Sequence, residues 1–137
     1  MAYIYALISA IFAALTSILA KIGINDINSN LATAIRTTVV LVFSWIMVFL
    51  VGGQHDLGEI SKKSMVFLVL SGLATGISWL AFYKALQMSD ASKIVAIDKL
   101  SVVFTMIFAF LILGELASKK AIIGAILIGL GTLVMVL

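Results

Sequence analysis

Few side chains in this sequence can do chemistry, and most of those are charges embedded in apolar stretches. Asp98 stands three residues before Ser101 and seven before Thr105. On a helix those intervals put all three on one polar stripe, which suits a water-filled cavity better than lipid. Asp98 could bind a substrate amine or a coupling proton. The alternative is structural pairing with Lys99, Lys84 or Arg36. Lys99 projects about 100° around the helix from Asp98, where it could meet substrate or extend its stem to the interface. Arg36 sits beside Thr37 and three residues after Thr33, and its planar donors match a carboxylate or a phosphate. Snorkelling, or a pair with Asp98, would also accommodate it. Trp79, Phe82 and Tyr83 follow at helical spacing and could stack a substrate cation or belong to an interfacial aromatic belt. A charge within a membrane costs about 2.5–3.5 kcal/mol on insertion scales and marks a functional candidate by default. The candidate substrate-binding set is therefore Asp98, Arg36, Ser101, Tyr83, Trp79, Lys99 and Thr105.

Other chemistry finds no support. The chain has no cysteine and a single histidine, His55, so no metal-site spacing exists. No nucleophile and base stand together, so no catalytic residue, metal or cofactor is expected, and an enzyme is not. The net charge of +3 is scattered, which argues for anionic lipid headgroups as counter-charge rather than nucleic acid.

The elements that must position these residues follow from composition. Hydrophobic residues make up 64% of the 137, charged residues 11%, and the mean hydropathy is +1.28. Soluble domains carry about 25% charged residues, so this chain cannot cover a water-facing surface. Charges divide it into five uncharged runs: Ala2–Ala20, Thr37–Gln54, Ser64–Tyr83, Leu100–Gly114 and Ala121–Leu137. A spanning helix needs roughly 20 apolar residues. The fourth run is short and must extend back through Lys99 and Asp98 to about Ala91. The expected helices are 3–24, 31–51, 64–87, 91–114 and 119–137, within one domain over residues 1–137. The run lengths exclude a barrel of alternating strands, giving an all-α integral membrane fold. Helix 1 lacks a basic leading region and exceeds a typical signal h-region, so it reads as retained. Residues at the end of the Asn25–Asn30 turn, Ser89-Asp90 and Ser118 offer helix caps. Glu115 is expected to pair with Lys119 at i+4. Gly72 and Gly76 on helix 3, and Ala121, Ala125 and Gly129 on helix 5, have small-residue spacing that suits helix packing, with helix 5 a possible dimer contact. Ser9, Ala13 and Ser17 give helix 1 a similar face.

Orientation normally follows the Lys/Arg imbalance between loops. On the side of the N-terminus stand Lys62, Lys63, Lys119 and Lys120. Opposite stand Lys21, Lys84 and Lys93, with Arg36 and Lys99 deeper. Neither side wins, and a balanced chain can insert both ways and pair head to tail. The other reading is one weakly biased orientation.

The sequence resembles one half of a drug/metabolite transporter of the EamA type. The likeness covers essentially the whole chain. It is carried by Gly72–Gly76, the Trp79–Leu86 segment, Ser89–Ile97, Phe108–Leu113, Gly114-Glu115, the glycine-rich Ala121–Leu133 and Arg36. Members typically fuse two such five-helix repeats, inverted, in ten helices. The resemblance implies that this chain supplies the second half by dimerising, as an antiparallel ten-helix homodimer in the cytoplasmic (inner) membrane. It further implies a small-molecule substrate, such as an amino acid, moved by alternating access. Asp98-Lys99 departs from the family, which there more often has proline or small neutral residues before a broken helix 4. The related four-helix multidrug exporters use a glutamate in helix 1; helix 1 here has no acidic residue, so their exchange chemistry does not carry over. Two alternatives remain: a non-transporting assembly subunit, or half of a heterodimer exporting metabolites or lipid-linked sugars.

Overall fold

The computed structural model describes all residues, 1–137. Every regular element is helical: α1 (Ala2–Gly23), α2 (Ser29–Val51), α3 (Lys62–Met88), α4 (Ala91–Asp98), α5 (Ser101–Phe108) and α6 (Lys119–Val136). A 3₁₀ segment, Gly53–Glu59, joins α2 to α3, and a π turn, Ala109–Leu113, continues α5. With α4, α5 and the π turn counted as one span, five helices are long and apolar enough to cross a membrane. The buried apolar residues are only Ile24, Ala32, Tyr83, Leu86, Ala96 and Ala125, while large side chains such as Phe12, Phe43, Phe67 and Phe110 are exposed. Such a surface is tolerable only in hydrocarbon. The chain is a multi-pass membrane protein.

Local chemistry sets the helix ends. Asn28 takes an extended conformation, and its Oδ1 accepts from the Asn30 and Leu31 amides at 2.8 and 3.4 Å, so α2 begins at Ser29, two residues before the expected 31. Gly52 closes α2 in the left-handed region, φ 76°. Ser118 Oγ accepts from Ala121 N at 3.2 Å and starts α6. Asp90 occupies the corresponding place before α4 but makes no side-chain cap bond.

The helix expected over 91–114 is not continuous. Leu100, Val102 and Val103 donate to Ile97, Lys99 and Leu100, three residues back instead of four, at 2.9–3.1 Å. The turn tightens at Lys99–Leu100 with its dihedrals still right-handed, and the Asp98 carbonyl is bypassed. With no proline to break it, a helix responds by overwinding into a short 3₁₀ step. The span then ends in the π turn, where Glu115 N donates to Ala109 O at 3.2 Å and Gly114 turns left-handed, φ 69°. Residues 114–118 are not helical. Glu115 and Lys119 therefore lack the i+4 geometry expected of them, and no ion pair joins them.

Two compact units form. In residues 19–87, Lys21 Nζ donates to Leu86 O at 2.6 Å, and Gln87 Nε2 donates to the carbonyls of Ile24 at 2.8 Å and Ile27 at 2.6 Å. These bonds satisfy carbonyls that the helix ends leave open. They ring Ile24 and Leu86, the two fully buried side chains. In residues 1–18 with 88–137, α4 and α5 pack on α6. Thr132 Oγ1 there donates to Ala96 O at 3.0 Å, a buried bond just before the tightened turn.

Candidate functional site

On α2, Thr33, Arg36, Thr37, Val40, Leu41 and Ser44 recur at steps of three and four, and so share one face. On α3 the same rule aligns Leu68, Ser71, Gly72, Thr75, Gly76, Trp79 and Tyr83. Between the faces lies a groove of about 440 Å³, lined by Thr37, Ser44, Ser71, Thr75 and Trp79 among others. That volume falls within the usual range for small-molecule sites, roughly 300–1,000 Å³. At about 1.5 Å per residue, Arg36 lies about 10 Å along α2 and Ser44 about 22 Å, so the groove occupies the middle of the helix.

Four hydroxyls enter this stretch of lipid-spanning helix. Thr37 Oγ1 donates to Thr33 O at 2.7 Å, and Thr75 Oγ1 donates to Ser71 O at 2.9 Å. Each bond uses the hydroxyl's one hydrogen and leaves oxygen lone pairs able to accept. Gly72 and Gly76 line the same groove, and a Cβ at either would meet nothing within 4 Å. Within this protomer the two glycines therefore widen a channel and make no close helix contact of their own.

Arg36 precedes Thr37 of the groove lining and lies over the ring of Trp79, another lining residue. Its guanidinium carbon lies 4.1 Å from the centre of the Trp79 ring and 5.7 Å from that of Tyr83. Trp79 and Tyr83 are one turn apart on α3, and Tyr83 is buried while Arg36 and Trp79 are half-buried. Within residues 19–87 no carboxylate meets this cation. Neither α2 nor α3 contains Asp or Glu, and Asp26, Asp56 and Glu59 of this unit all lie between helices. Contacts with aromatic faces contribute about 0.5–2 kcal/mol, against an insertion cost of about 2.5–3.5 kcal/mol for a central charge. The rings thus offset part of the cost and leave the guanidinium short of an anion.

The other polar candidates lie in the second unit. Asp98 and Lys99 approach to 3.8 Å with side chains 45% and 55% exposed, a loose pair of little energetic weight. Ser101 and Thr105 are exposed. In a 3₁₀ step residues three apart eclipse, so Asp98 and Ser101 stay in line despite the break. Ala125 is buried beside α5, whereas Ala121 is exposed and Gly129 has open space around a would-be Cβ. A groove of about 510 Å³ between α5 and α6 is lined only by apolar side chains such as Met106, Phe110 and Ile126.

Arg36, Trp79 and Tyr83, each marked by its residue type, come together. Ser44, Ser71 and Thr75 line the groove as well, outside the set expected from sequence. Their signal was available, since each hydroxyl recurs at helical spacing on the same face as Arg36 or Trp79.

The EamA-like transporter family matches residues 1–137. An uncharacterized transporter in the cobO 3′ region of a Sinorhizobium species is 44% identical over 131 residues, covering 96% of this chain and 93% of that protein. No solved structure matches the chain.

Proposed function

From the premise that this chain belongs to the EamA-like transporter family, we propose that it is a small secondary transporter of the inner membrane. It moves small metabolites such as amino acids by alternating access, as an antiparallel homodimer. The observation carrying this reading is the groove between the middle stretches of α2 and α3, which carries four hydroxyls and includes Trp79, the ring under Arg36. Hydroxyl lone pairs open to the groove give a solute partners within the spanning segment, which a scaffolding role does not require. The relative is matched over 93% of its length, so it too has the size of a single five-helix repeat. Two oppositely inserted copies would supply the pair of inverted halves on which rocking-type transport depends. In this scheme Arg36, Trp79 and Tyr83 contact substrate. Asp98, Ser101, Thr105 and Lys99 provide a second polar patch that takes an amine or a coupling proton.

Reconstitution tests it. Proteoliposomes loaded with an amino-acid mixture should exchange at least one labelled member; a purified protein that moves no small solute is a scaffold. Asp98→Asn should depress that exchange or alter its pH profile while the dimer persists, and an unchanged profile would make Asp98 structural.

A further inference from the structure

We propose that Arg36, backed by Trp79 and Tyr83, is a receptor for a carboxylate group. Solutes entering the α2–α3 groove are then organic anions or zwitterions that bring that group with them. This rests on the transport reading and names the substrate class of its site.

The charge inventory is the first argument. The spanning helices of residues 19–87 hold Arg36 with no acidic residue, and its contacts are two ring faces. Rings engage a guanidinium through its face, whereas its hydrogen-bond donors lie in its plane. The guanidinium lies 4.1 Å over the Trp79 ring centre and makes no hydrogen bond or ion pair within the protein, so its donors are available to a planar, two-oxygen acceptor. Lys21, the other cation of this unit on the α1–α2 side, is engaged with the Leu86 carbonyl, and Lys84 is exposed. One cation calls for one negative charge. A carboxylate supplies that, while a phosphate monoester near −2 would leave an excess negative charge in the membrane.

The groove's lining is the second argument, and it favours a free solute over a lipid. An anionic headgroup reaching Arg36 from the interface would lay acyl chain along the groove, and acyl chain gains nothing from hydroxyls. Thr37, Ser44, Ser71 and Thr75, set among Val40, Leu41 and Leu68, instead suit an amphipathic body that carries hydroxyl or amine groups beside apolar ones.

The experiment uses the full chain carrying Trp45→Phe, which leaves Trp79 as its single tryptophan, in phosphatidylcholine nanodiscs. Acetate, acetamide and inorganic phosphate are titrated at fixed ionic strength while Trp79 emission is recorded. Acetate should produce a saturable change and acetamide none. Arg36→Lys should weaken the response about tenfold, as expected when a two-point contact becomes a point charge, and Arg36→Gln should abolish it. An equal response to acetamide, or one that survives Arg36→Gln, overturns the proposal. So does tighter binding of phosphate than of acetate. Phosphatidylglycerol discs that shift the emission and block acetate would assign the site to a headgroup and overturn the solute claim. The two readings fail separately. An acetate site in a protein that transports nothing sinks transport alone, and exchange of neutral solutes without any acetate response sinks the carboxylate site alone.

Discussion

Arg36 shows how a residue's meaning changes with its surroundings. By type it reads as a charge in the membrane, open to snorkelling, to a pair with Asp98 or to substrate. Its actual contacts are the rings of Trp79 and Tyr83, and no hydrogen bond or ion pair within the protein occupies its donors. Trp79 should then matter through its ring rather than its bulk. Trp79→Phe keeps a weaker quadrupole and should lower solute affinity modestly. Trp79→Leu removes the contact and should weaken binding by the equivalent of about 0.5–2 kcal/mol. Binding isotherms for an exchanged solute would check the order, and a leucine variant that binds as tightly as the phenylalanine one would refute it. The three residues could be picked out one by one from the sequence, because charged and aromatic types are conspicuous in an apolar chain. Their meeting could not, since it depends on which face of α2 turns toward α3.

At the level of elements, the fourth span is the part whose form departs most from expectation. Its run of apolar residues is too short to cross alone, so the polar pair Asp98-Lys99 is drawn into the helix, and the tightened turn forms there. Thr132 Oγ1 anchors the end of α4 by its bond to Ala96 O. That carbonyl also receives the Lys99 amide, so α6 fixes the place at which the ladder changes step. Thr132→Val keeps the shape and removes the bond. It should destabilise the protein by about 1 kcal/mol, since the carbonyl keeps the Lys99 amide as a donor. A thermal melt in detergent would show the shift, with Thr132→Ser near wild type. A valine variant as stable as the parent would mean the hydroxyl contributes nothing. Gly114-Glu115 was visible as a motif, and the left-handed φ at Gly114 gives its physical reason.

For the whole molecule, lipid is the solvent and topology the open variable. Lys62, Lys63, Lys119 and Lys120 are opposed by a nearly equal set of cations. A reporter fused to the C-terminus should label both faces of the membrane. Neutralising Lys62 and Lys63 together should move most copies to one orientation, since those lysines supply half of one side's loop charge. Label confined to one face in the parent protein would exclude dual insertion, and with it the antiparallel pair.

Solvent, helix number and family were decided by the sequence alone. These depend on sums along the chain, such as apolar length, charge share and the spacing of small and aromatic residues, and sums do not depend on how helices are rotated. The partner of Arg36, the hydroxyl-lined groove and the overwound turn after Asp98 were decided only by the tertiary structure. Helices apolar on nearly every side carry a weak signal of which face looks inward, so only packing selects the polar side chains that end up sharing a cavity.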